Sequence, residues 1–285
     1  SGDNNVALGR NAGGQITTAG QNVYVGNSAA SGANVAGDYV TIVGYSAGVL
    51  NQVDSTVAVG SYAAAANTTG ANITAIGRNC LDANTTGSEN TAVGSGALGA
   101  NTTGSRNLAI GVGAYNSSDT ENDNCAVGYN ALTTNTAGGN GNTAVGNYAG
   151  DAITSGDYNT CLGMYGGSDL TSGTNCIMLG YQAGLSNSPA HTQNGTNRIV
   201  LGNNDITDCY IKVDWSVTSD ERDKMNFAEV PHGLSFVNDL KPIKFDFKKS
   251  RDDETPHGKT KYGFKAQDIL ALEGDNPIII NNEDE

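Results

Sequence analysis

Near-copies of Asn90-Thr91-Ala92-Val93-Gly94-Ser95-Gly96-Ala97-Leu98 recur about every seventeen residues from the start of the chain to Gly202. Asn107-Leu108-Ala109-Ile110-Gly111, Asn124-Cys125-Ala126-Val127-Gly128, Asn142-Thr143-Ala144-Val145-Gly146 and Asn159-Thr160-Cys161-Leu162-Gly163 carry the same pentad. The closing glycines are Gly9, Gly26, Gly44, Gly60, Gly77, Gly94, Gly111, Gly128, Gly146, Gly163, Gly180 and Gly202, at steps of 16 to 18 residues until a final step of 22. A chain that repeats at so short and constant a step stacks unit on unit. Its 285 residues therefore point to a solenoid rather than to ordinary globular domains.

Within the pentad, small or amide residues (Asn90, Ala92, Gly94) alternate with larger ones (Thr91, Val93), a period of two that signals a strand. The Ala-Asn-Thr-Thr-Gly stretches at 66–70, 83–87 and 100–104 supply residues that accept turn conformations. Each period is thus expected to be a short strand, a bend, a second extended piece and a turn. No 3.6-residue periodicity supports a helical solenoid. A coil this narrow has little core, so chains are expected to associate side by side. The row of small Ala and Gly side chains would suit close backbone approach around a shared axis, and a homotrimer is the expected form. At a strand spacing of about 4.8 Å, twelve rungs make a rod roughly 55–60 Å long. The repeated Asn either stack into an amide ladder or satisfy local backbone.

Composition changes sharply towards the C-terminus. Residues 1–218 hold 14 Asp/Glu and 5 Lys/Arg, residues 219–285 hold 15 and 10, and all five phenylalanines lie beyond residue 226. The expected division is a repeat shaft at 1–204, a closing strand or linker at 205–218, and a separate unit at 219–285. In that unit, Val230 to Leu240 and Phe264 to Leu272 read as helices, Ile243 to Phe247 as a strand, and Asp252 to Lys261 as a charged loop. The net charge of −14 argues against nucleic-acid binding. No apolar run is long enough for a transmembrane helix, so no membrane insertion is expected. The chain opens inside a repeat without a methionine and is expected to be a piece of a longer one. Cys80, Cys125, Cys161, Cys176 and Cys209 are odd in number and, as small apolar fillers, are expected to be free. The Gly138-Gly139-Asn140-Gly141-Asn142 run looks like a calcium nonapeptide, but it occurs once and lacks the aspartate ligand. No metal or cofactor is expected.

Two features of the rod carry alternatives, and a third ends it. Tyr45, Tyr62, Tyr129, Tyr148, Tyr165 and Tyr181 follow repeat glycines and either pack rung on rung or stack on sugars. Residues 185–197, with His191, lengthen one rung as an adapter or a ligand loop. Cys209 to Val217 reads as a strand that closes the rod, with Trp215 as its cap.

The pentads resemble the repeats of trimeric adhesin heads and bacteriophage tail fibres, which build parallel β-rolls or β-helices. Beyond them, Ser219-Asp220-Glu221-Arg222-Asp223-Lys224 is followed by a segment reaching Leu240-Lys241-Pro242-Ile243-Lys244-Phe245 and then by Gly263-Phe264-Lys265-Ala266-Gln267-Asp268. This order resembles the intramolecular chaperone domain of endosialidase type. The resemblance implies a small α+β domain that trimerises a fibre and cuts itself off with a serine and a lysine. By position, Ser219 is the nucleophile and Lys224 its base; Asp223 and Met225 depart from the family's usual residues. A lysine can serve as base only if it loses its proton, which burial or Arg222 would favour and Asp220, Glu221 and Asp223 would oppose. Ser219 could instead be a helix N-cap.

The fold class expected is mainly β: a trimeric parallel β-solenoid of about seventeen-residue repeats followed by a small α+β chaperone domain. The expected function is a structural and host-adhesion component of a virion tail fibre, assembled in the host cytoplasm. Its partners would be two further copies, other tail proteins, and a host cell-surface glycan or outer-membrane protein. Any enzymatic activity would be a single self-cleavage. The alternatives are a bacterial trimeric adhesin head and a polysaccharide-degrading spike, which would need paired carboxylates that the repeats do not offer.

Overall fold

The computed structural model describes residues 3–16, 19–32, 37–135, 138–186, 194–209, 234–248 and 255–273. The chain divides into two compact units, Ser1–Asn203 and Asn204–Glu285.

The first unit is a parallel β-solenoid. Its strands are β1 (Val6–Leu8), β2 (Val23–Val25), β3 (Thr41–Val43), β4 (Val57–Val59), β5 (Thr74–Ile76), β6 (Thr91–Val93), β7 (Leu108–Ile110), β8 (Cys125–Val127), β9 (Thr143–Val145), β10 (Thr160–Leu162), β11 (Ile177–Leu179) and β12 (Ile199–Leu201). They form one twelve-stranded sheet in chain order. Equivalent residues pair throughout, as in Thr91↔Leu108, Ala92↔Ala109 and Val93↔Ile110. The seventeen-residue step thus places each pentad on the next, and the register follows from the repeat.

The middle residue of each strand points into the coil. Ala58, Ala75, Ala92, Ala109, Ala126 and Ala144 are fully buried there. Their flanking residues face out, and Ile76, Ile110, Val145 and Leu162 are exposed. This corrects the expectation that Ala and Gly form the lateral face: the mid-strand alanines pack inside the coil, at the position that Tyr24, Ile42, Met178 and Val200 fill in other rungs, and the residues on either side of them are turned outward. The close approach that the glycines permit is to the next rung of the same chain. Gly94 has φ +136°, and a Cβ on it would lie 2.3 Å from the Gly111 carbonyl oxygen.

The second extended piece expected in each rung is a turn instead. After Gly94 the backbone enters left-handed conformations at Gly96 (φ 69°) and Leu98 (φ 52°). A left-handed leucine costs about 1–2 kcal/mol. Here the geometry turns Leu98 inward, where it is fully buried, and lets its N–H donate to the Ala114 carbonyl at 3.1 Å. Ala97, Leu98 and Ala92 with their counterparts fill the coil as one continuous apolar column.

Both readings of the repeated Asn hold, each for a different column. Asn67, Asn84 and Asn101 from the turn stretches form an amide ladder: Asn67 Nδ2 donates to Asn51 Oδ1 at 2.8 Å, Asn84 Nδ2 to Asn67 Oδ1 at 2.9 Å, and Asn101 Nδ2 to Asn84 Oδ1 at 2.8 Å. The pentad Asn instead serve the backbone of the following rung. Asn90 Oδ1 accepts from the Asn107 N–H at 2.9 Å while its Nδ2 donates to the Gly104 carbonyl at 2.7 Å. All of these Asn are buried, where an unpaired amide would be costly.

The cysteines are free, with Cys80, Cys161 and Cys176 buried, Cys125 half-buried on the sheet's outer face and Cys209 exposed. Burial pushes the Cys80 and Cys161 thiols up to about 12. Alkylation by iodoacetamide at pH 8 is therefore expected to label Cys209 within minutes and to spare Cys80, Cys161 and Cys176 until denaturant is added. Rapid native labelling of Cys80, read by peptide mass spectrometry, would contradict the packed coil.

Candidate functional site

Ser219 and Lys224 lie outside the described residues, as do Trp215 and His191. The other two segments of the C-terminal resemblance are described. In the second unit, α1 (Leu234–Asp239) leads into β13 (Ile243–Lys248), which pairs antiparallel with β14 (Pro256–Gly263), and α2 (Ala266–Glu273) follows. The expected helix over 230–240 is described from Leu234 onward, and the expected strand at 243–247 is observed. The helix expected at 264–272 begins two residues later, and the charged loop expected over 252–261 is partly strand, from Pro256 onward. Pro256, Gly258 and three charged or polar neighbours hide any alternation there. Pairing with Ile243–Lys248 forms the strand where propensity does not. A register irregularity between Phe245 and Phe247 interrupts the ladder.

These elements bring the two downstream segments to one place. A cleft of about 270 Å³ is lined by Leu240 and Lys241 from the Leu-x-Pro segment and by Phe264, Asp268, Ile269 and Leu272 from the Gly-Phe-x-Ala-Gln-Asp segment. Phe264 and Leu272 remain exposed beside it. Segments about twenty residues apart in the chain thus share one surface. The 3.1 Å bond from the Asp268 N–H to the Lys265 carbonyl starts the turn that positions α2.

On the solenoid, five of the six tyrosines meet ring to ring between successive rungs, and Tyr181 is exposed. Tyr148 and Tyr165 lie parallel, with centroids 5.0 Å apart and planes at 4°, and Tyr129 meets Tyr148 edge-on at 5.3 Å. Tyr45 and Tyr62 repeat the edge contact at 5.4 Å. Such pairs contribute about 0.5–1.5 kcal/mol each, which favours the packing reading over the sugar-stacking one. The sequence offers no signal for a second property of this unit, the uninterrupted outward row of β-branched and leucine side chains on the sheet. It is visible only once the alternate residues are assigned to inside and outside.

Residues 219–275 match the family model described as chaperone of endosialidase. No curated protein and no solved structure matches the chain. The matched span begins at Ser219 and contains Lys224 and both segments that line the cleft. In the chain, a segment that matches the endosialidase-chaperone model thus follows a unit that folds as a parallel β-solenoid.

Proposed function

We propose that the chain is a shaft of a phage tail fibre that attaches the virion to its host, and that three copies associate through the outer faces of their solenoid sheets. The observation that carries this reading is the apolar row on that face, including Ile76, Ile110, Val145 and Leu162. A contiguous exposed apolar strip of this kind marks an association surface. The chaperone domain supplies what such a rod needs, because parallel β-structure made of non-local contacts folds slowly.

In the same reading, Lys224 takes the proton of the Ser219 hydroxyl and the freed oxygen attacks an adjacent peptide carbonyl. The C–N bond breaks, the proton passes to the departing amine, and water hydrolyses the ester. If docking of three chaperone domains assembles this pair, cleavage makes the assembled rod kinetically irreversible.

Denaturing and native mass spectrometry of the full-length protein beside Ser219→Ala and Lys224→Ala tests both parts. The wild type is expected to split next to Ser219 and to run natively as a trimer, with both variants whole yet trimeric. An intact wild type in a trimer would reduce Ser219 to a structural cap. A monomeric rod would remove the lateral association.

A further inference from the structure

The rung closed by Gly94 lacks two side chains that the rung before it has. It carries glycine both two and five residues after the closing glycine, at Gly96 and Gly99, and no other rung has glycine at both places. One rung earlier the same places hold Asn79 and Asp82, and one rung later Asn116 follows Gly113. The result is an open groove of about 520 Å³ across three rungs, within the range of roughly 300–1,000 Å³ typical of small-molecule sites.

One wall is formed by Arg78, Asn79 and Asp82, and the other by Asn116 and Ser117, with Ser95 between them. Arg78 and Asp82 form no ion pair with one another, so a guanidinium and a carboxylate are both available to an incoming group. Burial holds the Asp82 carboxyl above the usual carboxylate range. Asp151 stands at the same place in its own rung with the Ser168 hydroxyl beside it, whereas the next-rung counterpart of Asp82 is Gly99.

Carboxylate, guanidinium, amide and hydroxyl groups in one groove without an aromatic or a long aliphatic side chain match a ligand dense in hydroxyls. We propose that the Gly96–Gly99 groove binds a neutral saccharide unit of a cell-surface polysaccharide. The proposal rests on the host-attachment reading above and gives it a place on the shaft.

The test uses the assembled full-length fibre and saturation-transfer NMR with the methyl glycosides of glucose, galactose, mannose and N-acetylglucosamine. Gly96→Tyr fills the groove without foreign geometry, because Tyr62, Tyr148 and Tyr165 occupy the same rung position at φ 57–60°. Asp82→Asn removes the carboxylate charge alone. At least one glycoside is expected to bind the wild type, with loss of the signal in Gly96→Tyr and about a tenfold weakening in Asp82→Asn. Circular dichroism confirms that both variants fold. Silence of every glycoside, or equal binding to Gly96→Tyr, overturns the groove. Retention of wild type and variant on immobilised bacterial envelopes separates the two readings. Equal retention leaves attachment standing without the groove, and no retention of the wild type removes attachment as well.

Discussion

Replacing Gly94 with alanine should cost roughly 4 kcal/mol, at the upper end of single-residue effects, while the same change two residues later should cost about 1 kcal/mol. Both glycines have positive φ, but only Gly96 lies near the left-handed region that the described non-glycine residues with positive φ occupy, so backbone strain and crowding act together at Gly94. Gly94 sits at φ +136°, where its new Cβ would lie 2.3 Å from the Gly111 carbonyl oxygen and 2.5 Å from the carbon that bears it. Neither atom belongs to a movable side chain, so the two rungs must part. Gly96 sits at φ +69°, and its new Cβ would find only the Asn116 Oδ1 at 3.7 Å. Serine, tyrosine and asparagine already occupy the equivalent place at Ser28, Tyr62 and Asn79, with φ between 53° and 60°.

Urea unfolding of both variants measures the difference. Because each rung bonds mainly to its neighbours, the lesion at Gly94 should also appear as a new protease-sensitive point near residues 94–111. Equal destabilisation by the two substitutions would mean that the carbonyl-to-glycine approach does not set the rung spacing.

The repeat alone makes this glycine conspicuous. A Gly at the end of every pentad announces a backbone requirement, and the alternation of Asn90-Thr91-Ala92-Val93 announces a strand. Sequence does not say which face of that strand is inside. Ala92 and Val93 are both apolar, and the position inside the coil takes alanine here but isoleucine at Ile42 and valine at Val200, so residue size does not mark the inner face. The outward apolar row is illegible for the same reason. The turn after the glycine reads as extended in sequence because a buried leucine at φ 52° runs against local preference. It is held there by burial and by a bond to the next rung. In the C-terminal unit, order of segments rather than periodicity is informative. Gly263-Phe264 and Leu240-Lys241 are recognisable as family segments, but their meeting at one cleft depends on the β13–β14 hairpin, and Pro256 to Gly263 shows no strand pattern.

The buried amide ladder makes a sharper prediction about electrostatics. Asn84 is fully buried. Its Nδ2 donates to Asn67 Oδ1 at 2.9 Å and to the Gly87 carbonyl at 3.0 Å, while its Oδ1 accepts from Asn101 Nδ2 at 2.8 Å. Asn84→Asp keeps the shape but sets a second acceptor against two acceptors. Ionised, this aspartate would be a buried charge with a single donor, at a cost of about 3–5 kcal/mol near neutral pH. Protonated, its hydroxyl can donate to one of the two oxygens. Folding therefore raises the variant's carboxyl pKa above the unfolded value of about 3.9. The sign follows: the deficit against wild type is complete above the folded pKa, shrinks as the pH falls through it, and is smallest below about pH 4. Asn84→Leu supplies the control, because Ile153 and Leu170 occupy the same column in later rungs and are fully buried there. It should cost about 1–3 kcal/mol for the two oxygens left without a donor, with no dependence on pH. Urea midpoints of both variants between pH 4 and pH 8 decide the matter. A pH-dependent gap for aspartate beside a flat one for leucine would assign the ladder a role in rung register through donor direction. Flat curves for both would mean that water reaches the column and that the amides act as ordinary turn residues.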